Sequence, residues 1–337
     1  MKMTFLQNKF LKNKFLKKDS SSFAAVNLGS CYLKGLIVKN GEIRNYFLEK
    51  NDNLPATLKK VWEEKRIPTR SVKLSIKNPS CLVRYFPFPK MDKKRLSQAL
   101  TYELNKFIPF SFEEVYFDFF ILKEINPSEV YILLAVVKRD FVNQILEIFS
   151  QANLDIANIT LDSICLINLF LNNYTKSKEI NSCILDIGNS ISTITIFNKE
   201  TPFLTRDVKF STKEVLDSVS RTKNLDSLAV QEWIKDDKNN TELIELAQHN
   251  ISNLCREIKS SLDYFEVNAA ERIDSLYLTG GLSSTKGLEK AFTKELEVNT
   301  EVLKVFDGDK VKSNIVFSDQ KFVTLENYFS VAFGLAL

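Results

Sequence analysis

Hydrophobic and polar positions alternate with two different periods along this chain, and the period changes mark out its elements. Residues 23–38 hold two alternating apolar runs on either side of Gly29-Ser30, the signature of a β-hairpin. Strand patterns follow at 71–76 and 81–86, with an Asn78-Pro79 turn between them. Leu96, Leu100, Leu104 and Phe107 then recur at helical spacing within 92–107. Two strands at 115–122 and 130–137 and a helix at 139–151 complete a β-rich insertion with two helices. A strand at 155–160 and a helix at 162–171 lead through the polar stretch 172–179 to a second hairpin at 182–197. Residues 212–268 read as helical, most clearly where Ile251, Leu254, Ile258, Leu262 and Phe265 line one face. A buried strand at 275–279 runs into Gly280-Gly281, a helix follows at about 287–296, and the small apolar residues of 327–337 predict a packed terminal helix.

The two hairpins resemble each other. VNLGSCYLKGLIV from Val26 and LDIGNSISTITIF from Leu185 superpose at a constant offset of 159, which sets Gly29 on Gly188. Such a repeat predicts two similar halves. Glycine is otherwise scarce, at nine residues in 337, so its position carries information. Each hairpin has the design of a phosphate cradle, a strand entering a tight Gly-Ser or Gly-Asn-Ser turn whose backbone N–H groups and hydroxyls can meet an anion. A third segment, LYLTGGLSSTKGLEKAF, places a Gly-Gly turn between a strand and a helix, where backbone can lie flat against a base or phosphate.

Composition narrows the classes. At 44% hydrophobic and 26% charged, the chain is neither collagen-like nor a disordered or disulfide-stapled scaffold. Six lysines in residues 1–18 exceed the formal net charge of +4, so the body is slightly acidic and is not expected to bind nucleic acid. Five cysteines without a C-x-x-C pair, and His249 as the single histidine, argue for a reducing compartment and against zinc. No apolar run approaches the roughly 20 residues that span a bilayer, and lysines interrupt any signal-peptide core, so a cytoplasmic protein is expected. The tail repeats Phe-Leu pairs every five residues, which wind around a helix axis instead of forming a stripe. It is expected either to be a solvated basic extension or, through the lysines and Phe side chains of residues 2–18, to touch an anionic membrane weakly.

Taken together, these segments resemble the actin-like ATPase superfamily and, within it, are most similar to the PilM family of type IV pilus assembly proteins. The carrying stretches are LSQALTYELNKFIPFSFEEVYFDFFIL, CILDIGNSISTITIFNKETPFLTRDVKFS, EIKSSLDYF, LYLTGGLSSTKGL and FSVAFGLAL. The resemblance implies an α/β, ribonuclease-H-like fold of two duplicated halves around a nucleotide cleft, with the inserted subdomain that PilM shares with FtsA. It implies a basic extension over 1–22, a first half over 23–175 with the insertion at about 87–153, and a second half over 176–326 with helices at 212–268. The terminal helix 327–337 is expected to return to the first half.

The same resemblance implies that ATP and Mg²⁺ are bound. Gly29, Ser30, Cys31 and Lys34 would hold phosphates, as would Asp186, Gly188, Asn189 and Ser190, with Asp186 reaching the metal through water. Lys259, Gly280, Gly281 and Ser283 would take the adenosine. Ile108, Pro109 and Phe110 would line a groove for the cytoplasmic N-terminal peptide of a PilN-like membrane protein. A place in the inner-membrane platform, coupled to the pilus motor ATPases, is also implied. Two residues depart from the family pattern: Asn27 stands where the first loop usually opens with Asp, and Cys31 where it commonly has Ser. Asn removes a charge that helps hold Mg²⁺, and Cys a good hydroxyl donor, so weakened metal affinity and little or no hydrolysis are expected. Asp162 is the one candidate for orienting a water. The alternatives are an active ATPase of the same fold, or a GspL-like or FtsA-like protein; those relatives carry membrane helices, and none is expected in this chain.

Overall fold

The structure, a computed structural model, describes residues 22–174, 179–305 and 326–337. The expected basic extension, apart from residue 22, and the middle of the polar stretch at 172–179 lie outside these. The described chain divides into two compact units, one built from 22–172 and 331–337, the other from the described part of 173–305 and from 326–330.

The first unit is organised by a five-stranded sheet in the order β3-β2-β1-β4-β8. Its strands are β1 (Ser22–Leu28), β2 (Tyr32–Lys39), β3 (Glu42–Lys50), β4 (Ser71–Ile76) and β8 (Asp155–Leu161). β1 pairs antiparallel with β2 and parallel with β4, and β4 runs parallel to β8. Ala24, Ala25 and Val26 of the central strand are fully buried, as an apolar run flanked by strands on both sides requires. Helices α1 (Leu54–Glu64) and α4 (Asp162–Asn173) accompany the sheet.

The second unit repeats this plan. Its sheet, β11-β10-β9-β12-β13, comprises β9 (Ser182–Ile187), β10 (Ser192–Asn198), β11 (Thr201–Val208), β12 (Ser275–Gly280) and β13 (Asn299–Val302). The pairing senses are the same: β9 is antiparallel to β10 and parallel to β12. Even the register agrees, with Asn27 opposite Lys34 and Ser75 in the first sheet and Asp186 opposite Thr193 and Thr279 in the second. The hairpin repeat read from the sequence is thus a repeat of whole sheets. Helices α5 (Thr212–Lys223), α6 (Ser227–Trp233), α7 (Asn240–Ala269) and α8 (Leu288–Leu296) contribute to one apolar core with this sheet, through residues such as Val215, Ile251, Ile258, Phe265 and Phe292.

Between β4 and β8 the chain forms an antiparallel sheet in the order β5-β7-β6, from β5 (Cys81–Pro89), β6 (Val115–Asn126) and β7 (Glu129–Lys138). Helix α2 (Lys93–Glu103) closes one face of it by seating Leu96 and Leu100 among Phe117, Ile132 and Leu134. Helix α3 (Arg139–Gln151) packs on α1 and β8 as well as on β7, so it serves the five-stranded sheet as much as the insertion. The terminal helix α9 (Ser330–Ala336) places Gly334 against the Cys165 carbonyl of α4, where an added Cβ would come within 1.9 Å of oxygen.

Candidate functional site

In the first unit the turn after β1 is closed by the Gly29 N–H donating to the Tyr32 carbonyl at 3.2 Å. A Cβ at Gly29 would meet that same oxygen at 2.7 Å, so the tightness of the turn selects glycine. Asn51, which follows β3, holds the turn from behind. Its backbone N–H donates to the Cys31 carbonyl at 2.8 Å and its Nδ2 to the Gly29 carbonyl at 3.0 Å. The sequence reading did not single out Asn51, because only strand pairing brings it here. Lys34, directly opposite Asn27, extends its amine to 3.5 Å from the Cβ position at Gly29, so a cation stands at the turn. Ser30 is exposed and Cys31 half-buried. Burial raises the Cys31 thiol pKa, with Lys50 opposing it, Asp52 adding to it and Lys34 opposing it again.

Beneath this turn Asn27, 1% exposed, donates its Nδ2 to the Ser75 hydroxyl at 2.9 Å and to the Asp162 carboxylate at 3.0 Å. Asp162 opens α4 and is 7% exposed. Burial, followed by the charge of Asp162, keeps the pKa of the Cys165 thiol well above its usual value.

In the second unit Asp186, 9% exposed, stands near the end of β9, with Gly188, Asn189 and Ser190 directly after it. The Gly188 and Asn189 carbonyls accept from the Thr212 and Lys213 N–H groups at 2.9 and 3.1 Å. The first turn of α5 therefore does for this loop what Asn51 does for the other, and Ser211 caps the helix by accepting from the Glu214 N–H. Gly280, paired with Ile187, has φ +93°, and a Cβ there would lie 2.3 Å from the Ile187 carbonyl oxygen. The Ser283 hydroxyl donates to the Gly280 carbonyl at 2.7 Å, and the Tyr328 ring lies against Gly281. Strand pairing thus brings Asp186 and the Gly280-Gly281 turn side by side. Lys259 is exposed on α7, one turn beyond Cys255.

In the insertion, α2 gives way to a short turn at Leu104–Lys106, and Pro109, which has no N–H to donate, stops the helix. Ser111 and Glu114 then form a capping box: the Ser111 N–H donates to Glu114 Oε2 at 3.0 Å, and these bonds lower the Glu114 pKa. Ile108, 5% exposed, belongs to the insertion's core, whereas Pro109 is exposed and Phe110 half-buried with the Lys138 amine 4.7 Å from its ring centre. Of the three expected groove residues, Ile108 therefore anchors the segment, Phe110 packs in part against the same core, and Pro109 is the exposed one. No helix among the described residues is long and apolar enough to cross a membrane, and no group of three or more His, Cys, Asp or Glu among them forms a metal cluster.

A family model described as type IV pilus assembly protein PilM matches residues 17–337. Among solved structures, the chain is similar to a PilM–PilN type IV pilus biogenesis complex at 22% identity and TM-score 0.82, covering 95% of this chain and 98% of that one. It is also similar to the ethanolamine utilization protein EutJ of Carboxydothermus hydrogenoformans, at 10% identity and TM-score 0.55 over 96% and 91% of the two chains. MreB5 of Spiroplasma citri bound to ADP matches at 8% identity and TM-score 0.51 over 94% and 95%. At these identities the likenesses show the fold, which is actin-like.

Proposed function

Because the chain belongs to the family of the type IV pilus assembly protein PilM, we propose that it is a nucleotide-binding adaptor of a pilus assembly platform that docks the N-terminal peptide of a PilN-like membrane protein. The observation that supports this best is the repeat of the sheet, with a glycine turn at the same register in each copy, across the family match. Within the second unit, Asp186, Gly188, Asn189 and Ser190 would meet the phosphates of ATP, and Gly280, Gly281 and Ser283 its adenosine, with Lys259 as an outlying contact. The residues fit such a ligand: two turns whose carbonyls are already taken up, one half-lined by glycine without room for a Cβ. Mg²⁺ would supply charge neutralisation for the phosphates. With a single carboxylate to offer, Asp186 would hold it through water while the nucleotide completes its shell. The first unit's turn, with Gly29, Ser30, Cys31 and Lys34, is proposed as a phosphate contact in its own right.

Pro109 and Phe110 would meet the partner peptide, and the lysines of 2–18 would add a weak attraction to an anionic membrane surface. The protein would then work in the cytoplasm, at the inner membrane through its partner, in company with the pilus motor ATPases. Calorimetric titration with ATP, with and without Mg²⁺, followed by phosphate release on the same sample, tests the reading. Micromolar binding with negligible turnover is expected; no heat in either titration would remove the nucleotide and leave peptide docking as the function.

A further inference from the structure

The two sheets carry the same trio of polar stations with its charge in different places. In the first, the strand station is Asn27, the neighbouring strand supplies Ser75, and the following helix opens with Asp162. In the second, the strand station is Asp186, the neighbour is Thr279, and the helix opens with Ser330. Thr279 Oγ1 donates to Ser330 Oγ at 2.6 Å, and Ser330 Oγ donates to the Asn327 carbonyl at 3.1 Å. Each trio thus holds one carboxylate, on the helix in the first copy and on the strand in the second.

An amide at the strand station is what makes the first arrangement electrically possible. Its Nδ2 carries two hydrogens, and the structure uses one on Ser75 at 2.9 Å and one on Asp162 at 3.0 Å. A carboxylate at 27 has no hydrogen to give, so it would set two buried acceptors against each other at about 3 Å, an arrangement that persists only with a shared proton or a cation between them. We infer that Asn27 is the internal hydrogen-bonding partner of Asp162, standing where a shared proton or a cation would otherwise be required, so that the first unit takes no metal at this station. Residue 27 is then a positioning residue: it orients the Asp162 carboxylate and keeps the strand end neutral without help from solution. The inference concerns one unit and does not require that ATP bind.

Thermal unfolding without nucleotide, in EDTA and in millimolar MgCl₂, tests it on four forms of the full chain. Wild type should melt at the same temperature in both. Asn27→Asp should melt about 10 °C lower in EDTA and regain much of that in Mg²⁺, as expected for uncompensated buried charge. Asn27→Ala should also melt lower but ignore Mg²⁺, because cavity and lost hydrogen bonds are not mended by a cation. The exchanged pair Asn27→Asp with Asp162→Asn restores one donor facing one carboxylate and should melt close to wild type in EDTA. Asn27→Asp melting with wild type in EDTA, or Asn27→Ala responding to Mg²⁺ as strongly as Asn27→Asp, would overturn the inference. If Asn27→Asp does not fold alone, the exchanged pair decides: recovery of a folded protein supports the hydrogen-bonded pairing, and failure to fold refutes it. Because ATP is absent throughout, these outcomes are independent of whether the calorimetric titration succeeds.

Discussion

Gly280 illustrates how single residues set this molecule's turns, since its backbone is left-handed and the Ile187 carbonyl occupies the space a side chain would need. Gly280→Ala should cost about 2 kcal/mol in denaturant unfolding, the scale of a strained non-glycine residue. Asp186→Ala removes the second unit's candidate phosphate-and-metal contact, so Mg-ATP affinity should fall roughly tenfold, with the melting temperature of the nucleotide-free variant measured alongside to account for the loss of a buried carboxylate. Unchanged affinity would move the site elsewhere. Cys255 offers a pH handle: burial, then the charge of Glu295, push its thiol from 9.0 to about 12, against a smaller pull from Lys259. A raised pKa means the folded state keeps the proton longer, so nothing changes below pH 9. Above that the unfolded chain ionises first and stability falls. Unfolding midpoints measured between pH 8 and about 11 should therefore drop more steeply for wild type than for Cys255→Ala. The glycines and Asp186 were legible in the sequence because special backbone and strand-end chemistry leave local marks. Asn51, Tyr328 and the link from Asn27 to Asp162 were not, because only tertiary pairing creates them.

At the level of elements, the central strands were legible, as were the edge strands β5, β6 and β8, while the edges β3, β11 and β13 were not. β1, β9 and β7 are buried on both faces and read as apolar runs. β3 buries only Ile43 and Phe47, and β13 only Thr300, so their patterns are too sparse to stand out. Helix α1, with Leu58 and Val61 as its buried residues, was missed for the same reason. Helix α2 is better marked, because Asp92 caps it by accepting from the Lys94 and Arg95 N–H groups. Asp92→Ala should lower stability by about 1 kcal/mol in denaturant unfolding. The segment after α2 holds a core residue and the proposed docking residues side by side. Ile108→Ala, a core truncation, should cost about 3 kcal/mol. Phe110→Ala, which removes a ring only partly packed on that core, should cost less than Ile108→Ala and reduce capture of a PilN-like N-terminal peptide in a pull-down. Equal capture by the Phe110 variant would exclude that position from the docking surface.

For the whole molecule, family membership and the repeated sheet agree on an actin-like fold, and the repeat was visible in the sequence as two matching hairpins. Charge is distributed less evenly than the net value suggests, with six lysines gathered ahead of a slightly acidic body. Deleting residues 2–18 should weaken sedimentation with anionic vesicles at low salt and leave ATP titration unchanged. Equal sedimentation would make the tail a solvated extension only. The insertion has a kinetic consequence. It occupies the whole connection between β4 and β8, so pairing Ile76 with Leu161 closes a loop that contains the three-stranded sheet, α2 and α3. Closing it costs chain entropy that grows with the logarithm of its length, unless the intervening sheet has already drawn the ends together. Order of assembly follows from that. The β1–β2 hairpin joins neighbours in sequence, whereas the β4–β8 pairing is favoured once the insertion has folded within its own loop.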